Sequence, residues 1–168
     1  MIFIGMGANL MHPVYGEPVN SLKAAIRTLE QPDLMVIKRS SWYKTAPVPV
    51  SDQPWFVNNV IEVETSLPME RVLSRLHEVE KEFGRVREVK WEARVLDLDL
   101  LAYDNQITLN QDQTKGSVVP HPFMQERAFV LAPLAEIAPD WVHPTLQQSA
   151  AELLARLSPV QAFEIVPD

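Results

Sequence analysis

A chain of 168 residues that is 46% apolar, 22% charged and 8% aromatic has the size of one ordinary domain and the make-up of a globular rather than a disordered protein. Fifteen Lys and Arg against 22 Asp and Glu leave a net charge of −7, which disfavours nucleic acid and anionic membrane as partners. The absence of cysteine excludes disulfides, a thiol nucleophile and Cys-based zinc or iron–sulfur sites.

No apolar run approaches the roughly 20 residues that span a bilayer. The apolar start, Met1 to Met6, is too short and lacks the basic flank of a signal peptide. The expectation is a cytoplasmic protein made of one domain over residues 1–168, a monomer or weak dimer.

Met1–Gly7 reads as a short buried strand ended by glycine. From Ser21 to Glu30, Leu22, Ala25, Ile26 and Leu29 form the apolar stripe of a helix, with Asn20 or Ser21 able to cap it. Leu34–Tyr43 reads as a second strand. Lys44–Pro54 holds three prolines and no helical period, so it is a long loop of the kind that often binds ligands. Phe56–Thr65 reads as a strand, and Pro68 fits the first turn of a helix running to Phe83 before Gly84. A basic connector, Arg85–Arg94, leads into the apolar strand Val95–Tyr103. Asp104-Asn105 is a tight-turn signal before a short strand at Gln106–Leu109. Helices follow near Met124–Ala138, interrupted by Pro133, and at Thr145–Leu157, and the tail is partly extended. This order predicts an α+β fold with a ferredoxin-like β-α-β-β-α-β core. Helices would cover one face of a mainly antiparallel sheet, with a hairpin and C-terminal helices added.

The sharpest chemical signal is Val95-Leu-Asp97-Leu-Asp99-Leu-Leu-Ala-Tyr103. Strand alternation puts Leu96, Leu98, Leu100 and Ala102 on one face and Val95, Asp97, Asp99, Leu101 and Tyr103 on the other. Two carboxylates roughly 6.6–6.8 Å apart on a core strand need a counter-charge. One reading is an exposed edge or a structural ion pair. The other is a pair of hard oxygen ligands for one or two Mg²⁺ ions that hold a polyphosphate.

The neighbouring chain favours phosphate chemistry. Arg85, Arg87, Lys90 and Arg94 bring four cations into ten residues of an acidic protein, directly before the acid pair, and a triphosphate needs such neutralisation. In the preceding helix Glu80 falls inside the stripe Val72, Leu73, Leu76, Val79, Phe83, where a carboxylate is uncommon unless paired. His77 lies at the stripe's margin, and a His77-x-x-Glu80 metal pair has no third ligand at usual spacing. No phosphate loop, dinucleotide fingerprint or nucleophile elbow is present, so phosphate binding falls to metal and arginine. Trp42, Trp55, Phe56, Trp91 and Phe129 are each open to core packing or to stacking on a flat ring.

Motifs in one order carry a resemblance. They are Gly7-Ala8-Asn9-Leu10, Tyr43-Lys-Thr45-Ala46-Pro47, Asp52-Gln53-Pro54 with Phe56-Val57-Asn58, and Gly84-Arg85-Val86-Arg87. Arg94 with Leu96-Asp97-Leu98-Asp99 and Val119-Pro120-His121 complete the set. The chain resembles the 6-hydroxymethyl-7,8-dihydropterin pyrophosphokinases of folate biosynthesis over about Ile2 to Pro139. Glu92, where the family has a small residue, and a basic stretch one residue shorter depart from its pattern.

The resemblance implies transfer of pyrophosphate from ATP, the co-substrate, to the hydroxymethyl group of the pterin, leaving AMP. It implies two Mg²⁺ at Asp97 and Asp99, with Arg85 and Arg94 as further catalytic residues. Thr45, Pro47, Val48, Phe56, Asn58 and Phe129 would bind the pterin. His77, Glu80, Arg85, Arg87, Trp91, Arg94, His121 and Arg127 would bind ATP. Two rivals stay open: another metal-dependent nucleotidyl- or phosphotransferase, and a binding module that keeps the pocket without turnover.

Overall fold

The computed structural model describes residues 1–47, 50–84, 94–108, 118–158 and 161–168. The apolar start forms β1 (Ile2–Ala8). Helix α1 (Pro18–Leu29) begins earlier than its stripe suggests, because Pro18 supplies the first turn, where its missing N–H is harmless. The single strand expected at Leu34–Tyr43 is two, β2 (Leu34–Arg39) and β3 (Trp42–Thr45). The break has a local cause. Ser40 donates its N–H to the Val60 carbonyl at 2.9 Å while its Oγ accepts the Val60 N–H at 3.0 Å, so a side chain replaces one rung of the ladder. Strand β4 (Phe56–Thr65) and helix α2 (Met69–Glu82) follow the sequence reading closely, and β5 spans Asp97–Tyr103.

Among the described residues, six strands form one sheet in the order β5-β1-β4-β3-β6, where β6 is Phe163–Val166 and β2 pairs with the other half of β4. All pairings are antiparallel. The path β5-β1-β4-β2 with α1 and α2 is the expected ferredoxin-like core.

Helices cover both faces rather than one. Ile2, Ile4, Met6 and Ala8 pack with Leu22, Leu29, Leu76 and Val79 from α1 and α2. On the opposite face Phe3, Val60 and Leu101 pack with Val130 and Leu134 of α3 (Ala128–Ile137) and Ala150 of α4 (Ala150–Ala155). The helix expected at Met124–Ala138 breaks at Arg127 rather than at Pro133: a 3-10 turn at Met124–Glu126 precedes the extended Arg127, and α3 runs on through Pro133. The helix expected at Thr145–Leu157 shortens because Nδ1 of His143 accepts the N–H groups of Thr145 and Leu146, and Gln147 has φ of 55°. Ser149 then caps α4 through the Glu152 N–H.

Two further expectations change. Asp104 does turn the chain, with φ of 50°, but Gln106–Thr108 do not form a strand. Thr108 bonds to Val119 instead, N–H to carbonyl at 2.8 Å and hydroxyl from N–H at 3.0 Å; Leu109 lies outside the described residues. A β-bulge also inserts Leu101 between the pairs Phe3–Ala102 and Ile4–Leu100. Ala102 therefore joins Leu101 on the α3 face and Tyr103 returns to the α1 face, the reverse of simple alternation.

Candidate active site

Alternation along β5 aims Asp97 and Asp99 at the α3 face, away from the buried Leu98 and Leu100. On β1, Gly7 lies in register with Asp97 and Gly5 with Asp99. Neither glycine carries a side chain, so neighbours close over them: the Asn58 carboxamide over Gly7 and the Leu101 side chain over Gly5. The row continues from Gly7 to Asn58 on β4 and from Asn58 to Tyr43 on β3. Two rungs further, Phe56 pairs with Thr45. The buried Asn58 Nδ2 donates to Thr45 Oγ1 at 2.6 Å. The expected metal ligands and three expected pterin ligands therefore stand on one face of one sheet.

Arg94 reaches Asp97 directly, Nη1 to Oδ1 at 3.1 Å. Its backbone is fixed by Asn9, whose Oδ1 accepts the Arg94 N–H at 2.8 Å and whose own N–H donates to the Arg94 carbonyl at 3.0 Å. Asn9 Nδ2 also donates to Gln53 Oε1 and to the Pro54 carbonyl, both at 2.9 Å. One buried carboxamide thus joins the end of β1, the approach to β5 and the loop before β4. Asn9 and Gln53 belong to recognisable motifs, yet no role for them was legible without these contacts.

Helix α3 supplies the opposite wall. Arg127 precedes its first turn, with the guanidinium carbon 5.3 Å from the ring centre of Phe123 and 5.4 Å from that of Phe129. Burial lowers the Arg127 pKa, while Asp99 and Asp97 raise it. Phe123 was not singled out in the sequence. His121 donates its backbone N–H to the Leu101 carbonyl at 2.9 Å, which moors it to β5. Burial pushes His121 down to about 4, the Arg127 charge adds to this, and Asp97 opposes it. Its Nδ1 accepts the Phe123 N–H at 3.2 Å, so the neutral ring carries its proton on Nε2.

The remaining expected residues separate. Glu80 is 1% exposed and its Oε2 accepts the Leu98 N–H at 3.2 Å, capping the outer edge of β5 between the aspartates. His77 is exposed on α2, and Pro47 is buried after β3. Trp42 is a core residue whose indole N–H donates to Asp168 at 2.8 Å. Val48, Arg85, Arg87 and Trp91, with Lys90 and Glu92, lie outside the described residues.

The donor set suits a hard cation. Asp97 and Asp99 are half-buried oxygen donors in register with two glycines. No group of three or more His, Asp or Glu gathers as a metal cage among the described residues. Two carboxylates fit Mg²⁺, which keeps its other positions for water and phosphate oxygens.

Paired carboxylates flanked by guanidiniums on the face of an α+β sheet define the class: an enzyme that handles a phosphate chain. The sequence model of the 7,8-dihydro-6-hydroxymethylpterin-pyrophosphokinase family matches residues 3–139. A 2-amino-4-hydroxy-6-hydroxymethyldihydropteridine pyrophosphokinase of Methylorubrum extorquens is 39% identical over 94% of this chain and 93% of its own. One of the same description from Haemophilus influenzae is 37% identical over 98% of both. A crystal structure of an HPPK-DHPS in complex with substrates superposes with a TM-score of 0.65 at 12% identity; it covers 92% of this chain, which spans 42% of that one. That likeness concerns the fold alone. The chain belongs to the 7,8-dihydro-6-hydroxymethylpterin-pyrophosphokinase family, and with it to the pyrophosphokinases of folate biosynthesis. Among the described residues, no helix is long and apolar enough to cross a membrane.

Proposed function

We propose that this chain acts in the cytoplasm and transfers the pyrophosphoryl group of ATP to the hydroxymethyl oxygen of 6-hydroxymethyl-7,8-dihydropterin. The pterin hydroxyl gives up its proton to solvent and attacks the β-phosphorus, the bond from that phosphorus to the oxygen it shares with the α-phosphorus breaks, and AMP leaves. The observation that carries this reading is the shared sheet face of Asp97 and Asp99 with the Asn58–Thr45 pair, rimmed by Arg94 and Arg127.

Asn58 and Thr45 offer both donor and acceptor to the polar edge of a flat heterocycle, Phe56 and Phe129 offer stacking faces, and Pro47 would add to the pocket, as the resemblance also implies for Val48, outside the described residues. Asp97 and Asp99 would hold two Mg²⁺ ions, which when bound neutralise the phosphate chain and make the hydroxyl more acidic. Arg94 and Arg85 would offset the charge gathering between the β-phosphate and AMP. Arg127, with Glu80, His77, Arg87 and Trp91, would orient the nucleotide. His121, neutral at pH 7, would donate from Nε2–H without adding charge.

The test mixes the protein with ATP, Mg²⁺ and the reduced pterin alcohol and resolves the nucleotide products. AMP formed in step with pterin diphosphate is expected. ADP, or free pyrophosphate without pterin diphosphate, would point to another transferase, and binding of both ligands without product would point to a binding module. Asp97→Ala and Asp99→Ala should each lower kcat by at least about a thousandfold while the folded protein persists. Near-normal turnover in either variant would remove the acid pair from the mechanism.

A further inference from the structure

Arg127 approaches the acid pair from an unusual backbone position. It sits between a 3-10 turn and α3 in an extended conformation, φ −119° and ψ 110°, and its own side chain makes no cap for the helix. The cap comes from far along the chain. Gln161 Oε1 accepts the Ala128 N–H at 2.8 Å, and Gln161 Nε2 donates to the Glu126 carbonyl at 2.9 Å.

Those two groups belong to the two peptide planes that flank Arg127. Peptide planes are rigid, so fixing both of them fixes the only two soft backbone angles of the residue between. The same planes also carry main-chain bonds, Arg127 N–H to the Met124 carbonyl at 3.3 Å and the Arg127 carbonyl accepting the Val130 and Leu131 N–H groups at 3.1 and 3.0 Å. The Gln161 carboxamide clasps the two planes to each other and so helps to set the direction in which the Arg127 side chain leaves the backbone, toward Phe123, Phe129 and the field of Asp99 and Asp97. Gln161 is itself held close by, because Phe163, two residues on, pairs with Thr45 of the expected pterin pocket.

We infer that Gln161 is a positioning residue for the transfer reaction, acting through Arg127. This rests on the reading of Arg127 as a nucleotide-binding residue. A plain helix cap would need only the Oε1 contact; the second bond, to Glu126, ties the peptide before Arg127 to the peptide after it. The two roles separate by substitution. Gln161→Glu keeps an acceptor for the Ala128 N–H, and a carboxylate suits a helix N-terminus. It cannot donate to the Glu126 carbonyl. Gln161→Ala loses both bonds.

The experiment measures KM for ATP, kcat and the Arg127 Nε–Hε resonance in wild type, Gln161→Ala, Gln161→Glu, Arg127→Ala and the double variant Gln161→Ala/Arg127→Ala. Both Gln161 variants should raise KM for ATP about fivefold, the scale of one lost hydrogen bond. Both should also move the Arg127 resonance to the position of a solvent-averaged arginine. In the Arg127→Ala background, Gln161→Ala should change KM by less than about twofold, because coupled residues are non-additive. Wild-type KM and an unmoved Arg127 resonance in Gln161→Glu would reduce Gln161 to a helix cap and overturn the inference. So would a full Gln161→Ala effect without Arg127. Absence of AMP from the wild type would instead strike the functional reading, and the Arg127 resonance would still decide whether Gln161 positions that side chain.

Discussion

Gly7 stands in register with Asp97 on one side and Asn58 on the other, and a methyl group at Gly7 would lie 2.5 Å from Asn58 Oδ1. The expected metal site and the expected pterin site thus meet at a residue with no side chain. In Gly7→Ala the Asn58 carboxamide must turn aside, giving up its 2.6 Å bond to Thr45. KM for the pterin should rise about tenfold while KM for ATP stays within about twofold, since one buried hydrogen-bond pair is disturbed. Gly5→Ala is the control, because its methyl would press only on the Leu101 side chain, at 3.3 Å. Steady-state kinetics of both variants check this; an unchanged pterin KM in Gly7→Ala would detach Asn58 from substrate binding.

Local patterns made part of this architecture legible. The limits of β4 match its apolar run, α2 lies within its stripe, and the alternation of β5 correctly aims Asp97, Asp99 and Leu101 at one face. What remained hidden depends on contacts between distant segments. The bulge at Leu101 arises from its pairing with β1, and the bend at Ser40 from a hydroxyl meeting a β4 amide. Asn9 is a hub only because Gln53, Pro54 and Arg94, more than forty residues away, fold back to it. Gln161 shows no pattern at all until the Glu126 and Ala128 peptides are seen beside it.

His121 makes stability depend on pH with a definite sign. Burial, then the Arg127 charge, hold its folded pKa at about 4 against an ordinary value of 6.5, with Asp97 opposing. Between those values the unfolded chain binds the proton that the folded chain refuses, so stability falls as pH drops from 6.5 toward 4. Above pH 7 this contribution is constant. Urea unfolding at pH 7.5 and pH 4.5, without divalent cation, should show wild type losing on the order of 2 kcal/mol more than His121→Asn. Equal losses in the two proteins would mean that His121 takes up its proton in the folded state as readily as in the unfolded one.

Glu136 joins the two walls of the site from the far end of α3. Its Oε1 accepts the N–H of Ser41 at 2.8 Å and the Ser41 hydroxyl at 2.9 Å, and its Oε2 accepts the Tyr43 hydroxyl at 2.5 Å. Burial and the adjacent Glu136 carboxylate raise the Tyr43 pKa, so the phenol keeps its proton and remains a donor at neutral pH. Tyr43 is in register with Asn58, and Glu136 lies two turns along the helix that begins beside Phe129. Glu136→Ala leaves three donors without this acceptor. Glu136 is itself exposed, so water replaces part of the loss and destabilisation should be about 1–2 kcal/mol, a fall in Tm of about 3–6 °C for a chain of this size. KM for the pterin should rise with it, since Phe129 is no longer drawn toward the sheet, whereas Glu136→Gln, which keeps one carbonyl acceptor, should retain most of both properties. Thermal melts together with pterin KM decide the matter: a Tm within about a degree of wild type, or a change in ATP KM alone, would show that the Glu136 contacts do not set the spacing between α3 and β3.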